Sequence, residues 1–173
     1  MHGTAARFAL GDVTVSRVVE SEGPTLSARE VFPDWDPAIV ESHRPWMVPR
    51  HFDTSEQRLV ITIQSYLVKT GRYTILVDAC GGNDKERARP HFHKQQHPWL
   101  QTLAAAGARP EDVDFVLCTH FHVDHVGWNT RLVNGRWVPT FPNAKYIFSK
   151  KELAHWEREA KATGLPRTGD DVS

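Results

Sequence analysis

The sequence has little sulfur, no long apolar run and no excess of charge of either sign. It has two cysteines, Cys80 and Cys118, and two methionines. Two cysteines cannot frame a disulfide scaffold, and each ends an apolar, strand-like run. They are expected to be buried free thiols in a reducing cytoplasm. A membrane helix needs about 20 consecutive apolar residues, and the sequence has no such run. Nor is Met1-His2-Gly3-Thr4-Ala5-Ala6-Arg7 followed by the apolar segment of a secretory signal. The reading is therefore a cytoplasmic protein without a membrane partner. Lys plus Arg is 21 and Asp plus Glu is 21, a net charge of zero. With no run of basic residues, this balance gives no support to nucleic acid as the partner.

What is present fits an ordinary globular chain. The length, 173 residues with 40% apolar and 24% charged content, predicts a single domain over 1–173 with a real core. Histidine is abundant, at ten, and tryptophan, at six, is scattered. The histidines concentrate at 91–97 and 120–125.

Period-two alternation predicts a strand over 12–19. Residues 21–57 are rich in Pro, Asp, Ser and His and read as a long irregular segment with interspersed aromatics. Strands over 59–69 and 73–78, joined by Thr70-Gly71-Arg72, form a hairpin. Ala79-Cys80-Gly81-Gly82-Asn83 breaks the second strand. Residues 98–107 read as a helix, with Pro98 in its first turn and Gly107 at its end. A buried strand over 113–119 follows. Asn134-Gly135, flanked by Leu132-Val133 and Trp137-Val138, signals a tight hairpin. Residues 144–148 form another strand. Ser149 then caps a helix over 150–161, with Glu152 placed for a capping box. The polar stretch from Thr163 to Ser173 reads as a linker or frayed end. This order predicts an α+β fold, a mixed sheet with helices on its outer face.

The chemistry concentrates in Cys118-Thr119-His120-Phe121-His122-Val123-Asp124-His125-Val126-Gly127. Three imidazoles and a carboxylate fall within six residues, at the end of an apolar strand. Neutral imidazole and carboxylate are good ligands for zinc and its neighbours. His120 and His122, two apart, project to the same side of an extended backbone. Asp124 and His125 follow where the strand has ended, and a turn there can aim them at a second point. Two metals about 3.5–4 Å apart lower the pKa of a bridging water toward ~7 and polarise a carbonyl or phosphoryl oxygen. Such a site hydrolyses without a serine or cysteine nucleophile. The second cluster, His91, His93 and His97, has no partner carboxylate and sits among Arg87, Arg89 and Lys94. It reads as a polar segment leading into the 98–107 helix.

His120-Phe121-His122-Val123-Asp124-His125 matches H-x-H-x-D-H and resembles the signature of the metallo-β-lactamase superfamily. Ile75-Leu76-Val77-Asp78 with Gly81-Gly82 is similar to that family's strand-plus-glycine motif. The resemblance covers about residues 12–161, the N-terminal half of an αβ/βα sandwich. It implies that His120 and His122 bind a first metal and that Asp124 and His125 bind a second, with Asp124 also holding the bridging water as a catalytic residue. Two divalent ions are implied, zinc first, with iron or manganese suited to the same ligands. The implied activity is hydrolysis by metal-bound hydroxide of a small-molecule ester, lactone or related substrate. The flanks of the motif look most like lactonase-type hydrolases. Asp78 reads equally as a carboxylate steadying the site and as a turn-forming strand end.

The family supplies a further histidine, a bridging aspartate and a last histidine from its second half. Here His155 lies in a helical pattern and reads as a surface residue, and Asp170 and Asp171 follow too soon to be ligands. The alternative is thus a truncated or inactive domain that needs a missing C-terminal half or a partner chain, with an apolar face left exposed. An iron-binding redox relative is a third reading. A homo-oligomer is compatible with all three.

Overall fold

The computed structural model describes residues 6–163. The chain divides into two compact units, one of Met1–Glu20 with Ile63–Ser173 and the other Ser21–Thr62. Asp170 and Asp171 lie outside the described residues.

A seven-stranded sheet is built from β1 (Arg7–Leu10), β2 (Val13–Ser27), β3 (Phe52–Asp53), β4 (Arg58–Lys69), β5 (Thr74–Val77), β6 (Phe115–Leu117) and β9 (Lys145–Ile147). Its order is β1-β2-β4-β5-β6-β9, with β3 also paired to β4. β4 and β5 are antiparallel, as the short Thr70–Arg72 link requires. β5–β6 and β6–β9 are parallel, so the sheet is mixed. The expected helix is α3 (Trp99–Ala105), which buries Trp99 and Leu103. A four-residue helix, α4 (Val123–Val126), carries part of the histidine motif. β7 (Thr130–Val133) and β8 (Arg136–Pro139) form a separate hairpin. Its turn residues Asn134 and Gly135 have φ of 50° and 76°, the paired left-handed conformation that selects Asn-Gly.

Register explains which side chains are inside. Leu67, Leu76 and Val116 are cross-strand neighbours with Tyr146. The first three are fully buried and join Val18, Trp99, Leu103, Val113, Trp128 and Phe141 in the core. One residue along, on the opposite face, Tyr66, Val77, Leu117 and Ile147 form the adjacent cross-strand row. Here Leu117 is 37% and Ile147 46% exposed. An apolar row thus stays open on this face of the sheet.

The segment 21–57 is more regular than its composition suggests. β2 continues to Ser27, and α1 (Ala28–Val31) and α2 (Ala38–Met47) follow. Pro45 lies inside α2, which is why that stretch reads as helix-free. Val40 and Met47 of α2 pack with Ala28 and Phe52, and Trp35 stacks on Phe52 at 5.5 Å. Burial of one apolar face here outweighs poor local propensity.

The C-terminal helix α5 (Lys150–Thr163) starts where expected, and Ser149 Oγ accepts from Lys151 N–H at 3.2 Å. Glu152 does not close a capping box. Its carboxylate instead accepts from the Phe121 N–H and the Trp156 indole, each at 3.1 Å. Both cysteines are free and buried. Among the described residues no helix is long and apolar enough to cross a membrane.

Candidate metal centre

The motif begins just past the end of β6. Thr119 N–H and the Thr119 hydroxyl both donate to Asp78, at 2.8 Å and 2.8–3.0 Å. Asp78 terminates β5 in a left-handed conformation, φ 59°, and its side chain is largely buried. It also accepts from His125 Nδ1 at 2.8 Å. The two readings of Asp78 therefore coexist: it turns the chain and it ties two parts of the motif together. Burial works to raise its pKa, yet His125 and Thr119 hold it below the usual carboxylate value.

The four motif residues come together. The rings of His120 and His125 lie 3.9 Å apart, and those of His120 and His122 4.6 Å apart. His125 Nε2 faces Asp124 Oδ2 at 3.4 Å. Burial opposes charge on His125, but Asp124 and Asp78 flank it and lift it to about 9. Asp124 is lowered by the same partnership against its own burial. His120 is lowered, first by burial and then by the neighbouring His125 and His122. Two neighbouring imidazoles are thus pushed in opposite directions: His120 away from the charged form and His125, between two carboxylates, toward it.

The donor chemistry suits a divalent cation. His125 has Nδ1 committed to Asp78, so Nε2, which faces Asp124, is the nitrogen a cation would take in exchange for its proton. His120 Nδ1 lies 3.1 Å from Thr119 Oγ1, again leaving Nε2. In spacing the set is incomplete: among the described residues no group of three or more His, Cys, Asp or Glu side chains is arranged to hold a metal ion. Ordinary zinc sites take at least three protein ligands.

Two supports of this segment carry no sequence signal. α5 buttresses it through Glu152 on Phe121 N–H, with Trp156 set edge-on to His122 at 6.1 Å. Glu20 reaches the glycine pair and Trp128 from β2. His155, His93 and His97 join no such group. His155 is exposed on α5, as its helical pattern predicts. His93 Nδ1 bonds the backbone of Arg87 at 3.0 Å, and His97 N–H donates to Asn83. The 91–97 cluster thus organises its own loop.

No curated protein matches the chain. Among solved structures, AbOPH, a hydrolase of the β-lactamase superfamily, aligns with a TM-score of 0.66 and 26% identity over 94% of this chain and 50% of its own. A probable metal-dependent hydrolase from Staphylococcus aureus aligns at 0.69 and 18% identity, over 95% of this chain and 57% of its own. AidC, a dizinc quorum-quenching lactonase, aligns at 0.64 and 22% identity, over 88% and 47%. The chain spans about half the length of these structures. The profile of the metallo-β-lactamase superfamily matches residues 59–172, which hold all but the first residue of β4, the Asp78 turn and the whole histidine motif. The chain belongs to the metallo-β-lactamase superfamily.

Proposed function

We propose that this chain contributes the His120, His122, Asp124 and His125 ligands of a metal-dependent hydrolase that acts on an ester, lactone or related small molecule. The observation that carries the reading is the Asp78–His125–Asp124 chain of contacts beside the rings of His120 and His122. A histidine steadied by a buried carboxylate through one nitrogen, with the other turned toward a second candidate donor, is how imidazole is prepared as a ligand. His120 and His122 would hold one ion, and Asp124 and His125 a second. Zinc is the first choice, and iron or manganese suits the same donors. When bound, such ions supply hydroxide near neutral pH and polarise the oxygen of the scissile group.

The chain's own residues prepare the rest. Asp78 keeps His125 in one tautomer. Asp124 offers a carboxylate able to accept a proton from, and so orient, an attacking water. Thr119 joins His120 to Asp78. The similarity to a dizinc lactonase supports an ester or lactone as substrate.

A second reading is that the centre closes only with donors from beyond these residues, in a C-terminal half or a partner chain. The open row of Leu117 and Ile147 and, among the described residues, the lack of a convergent three-donor group favour it. Elemental analysis of the purified chain, with His120→Ala/His122→Ala as control, tests both. Close to two equivalents, lost in the double variant, supports a site completed here. Metal below one equivalent in this chain, with lactone or ester hydrolysis absent, supports the second reading. One equivalent or more, retained undiminished in the double variant, refutes the ligand assignment.

A further inference from the structure

The Glu20 carboxylate joins two segments that are remote in sequence. Oε2 accepts from Gly81 N–H at 2.8 Å, and Oε1 from Gly82 N–H at 3.0 Å and the Trp128 indole N–H at 2.6 Å. Burial acts to raise its pKa, and these three donors act to lower it. No role in the proposed chemistry accounts for an acid drawn in here.

The place it occupies is the crossing of residues 78–82 over 125–128. Ala79 N–H donates to His125 O, Gly127 N–H to Cys80 O and Trp128 N–H to Ala79 O, all at 2.7 Å. The chains touch so closely that a Cβ on Gly127 would lie 1.9 Å from Gly81 O. One side of this crossing ends in Asp78 and the other begins at His125, which Asp78 holds by its ring. A carboxylate that grips both sides at their far ends sets how the near ends meet. Trp128, held by the same oxygen, stacks on core residue Trp99 at 5.3 Å, so the crossing is referenced to the core as well.

We infer that Glu20 is a positioning residue for the candidate metal centre, clamping Gly81-Gly82 to Trp128 and thereby fixing His125 against Asp78. The inference rests on the metal reading above. It is distinct from it, because Glu20 touches neither a ligand nor a reacting atom.

Glu20→Gln tests it, since it keeps the size and puts an amide N–H₂ among N–H donors. Trp128→Phe, which removes the indole donor with part of the ring and leaves both glycine bonds, is the milder companion. Leu103→Ala, a core truncation in α3 on neither segment of the crossing, is the control for general loss of stability. Cobalt(II) affinity of each protein is read from its visible absorption. At fixed pH, the ¹⁵N shift of His125 Nδ1 is read in the metal-free proteins. Residues that orient ligands are worth about 10- to 100-fold in metal affinity. The expected result is a loss of about tenfold or more in Glu20→Gln, a smaller loss in Trp128→Phe, none in Leu103→Ala, and a moved His125 signal in the first two. Wild-type affinity in both Glu20→Gln and Trp128→Phe overturns the inference while leaving the metal reading intact, and so does a loss matched by Leu103→Ala. If the wild-type chain takes up no cobalt, the reading of a site completed within this chain fails. The His125 signal then decides alone: moved, it upholds the clamp; unmoved, it overturns it.

Discussion

Gly127→Ala should be among the most damaging single-methyl additions in this chain. The new Cβ would lie 1.9 Å from Gly81 O, 2.0 Å from Gly81 C and 2.6 Å from Gly82 N. All three are backbone atoms, so no side chain can swing away. Restoring a normal separation of about 3.5 Å needs a shift of roughly 1.5 Å between the two segments. That breaks the 2.7 Å bonds from Gly127 N–H to Cys80 O and from Trp128 N–H to Ala79 O. Each contributes about 1 kcal/mol net, and the overpacking adds about 1–3 kcal/mol. The sum is a loss of about 3–5 kcal/mol. For a chain of this size, that lowers the melting temperature by roughly 6–20 °C. Urea unfolding followed by far-UV circular dichroism reads it directly. Gly71→Ala, where nothing lies within 4 Å, should stay within about 0.5 kcal/mol of wild type. A Gly127→Ala protein within about 1 kcal/mol of wild type would refute the close crossing and every argument built on it.

Three further outcomes follow from the same geometry. His125 is held at about 9 against an ordinary 6.5, so its contribution to the metal-free protein is complete below pH 6.5 and disappears as pH rises through about 9. Asp78→Asn should flatten that decline in urea midpoints, and a flat wild-type profile would contradict the pairing. Lys85 is buried, over Trp137 at 3.9 Å, and burial followed by Arg87 lowers it from 10.5 to about 8. Stability from this group rises with pH between about 8 and 10.5, because the unfolded chain binds the extra proton; Lys85→Met should remove the rise, and an unchanged profile would show that Lys85 is not its source. Gly135 has φ 76° and no atom near its Cβ position, so Gly135→Ala carries only the left-handed penalty of about 1–2 kcal/mol, with no loss of the rest of the fold by amide exchange.

What the sequence reveals here is what is local in it. The Thr70–Arg72 and Asn134-Gly135 turns, the α3 helix and the parallel strand before the motif all follow from short-range pattern, and each lies within a few residues of where the pattern puts it. The long segment 21–57 misleads because its helix carries Pro45 and is stabilised by Phe52 and Trp35, packing that no window of helical period contains. Glu152 misleads in the opposite way. The Ser149–Glu152 spacing is that of a capping box, but Phe121 N–H lies within reach in space and takes the carboxylate. A local rule was satisfied in sequence and outbid by a neighbour 31 residues away.

The candidate site divides along the same line, and the division has a physical cause. On the proposed reading, ligand identity is written in nearly consecutive residues because His120, His122, Asp124 and His125 would have to converge within a few ångströms, and one tight turn is the simplest way to do that. Ligand orientation is written elsewhere. His125 is aimed by Asp78, 47 residues away, and the crossing beneath it is gripped by Glu20, 108 residues from Trp128. A carboxylate at the end of a strand leaves Asp78 half visible as a candidate. Glu20 has no such mark: in β2 it sits at one more position of an alternating strand, and only the fold brings the Gly81 and Gly82 amides to it. Nothing requires an orienting residue to lie near what it orients, only that it fold against it. A motif search on a related chain would therefore recover the donors and miss the residues that decide whether those donors bind.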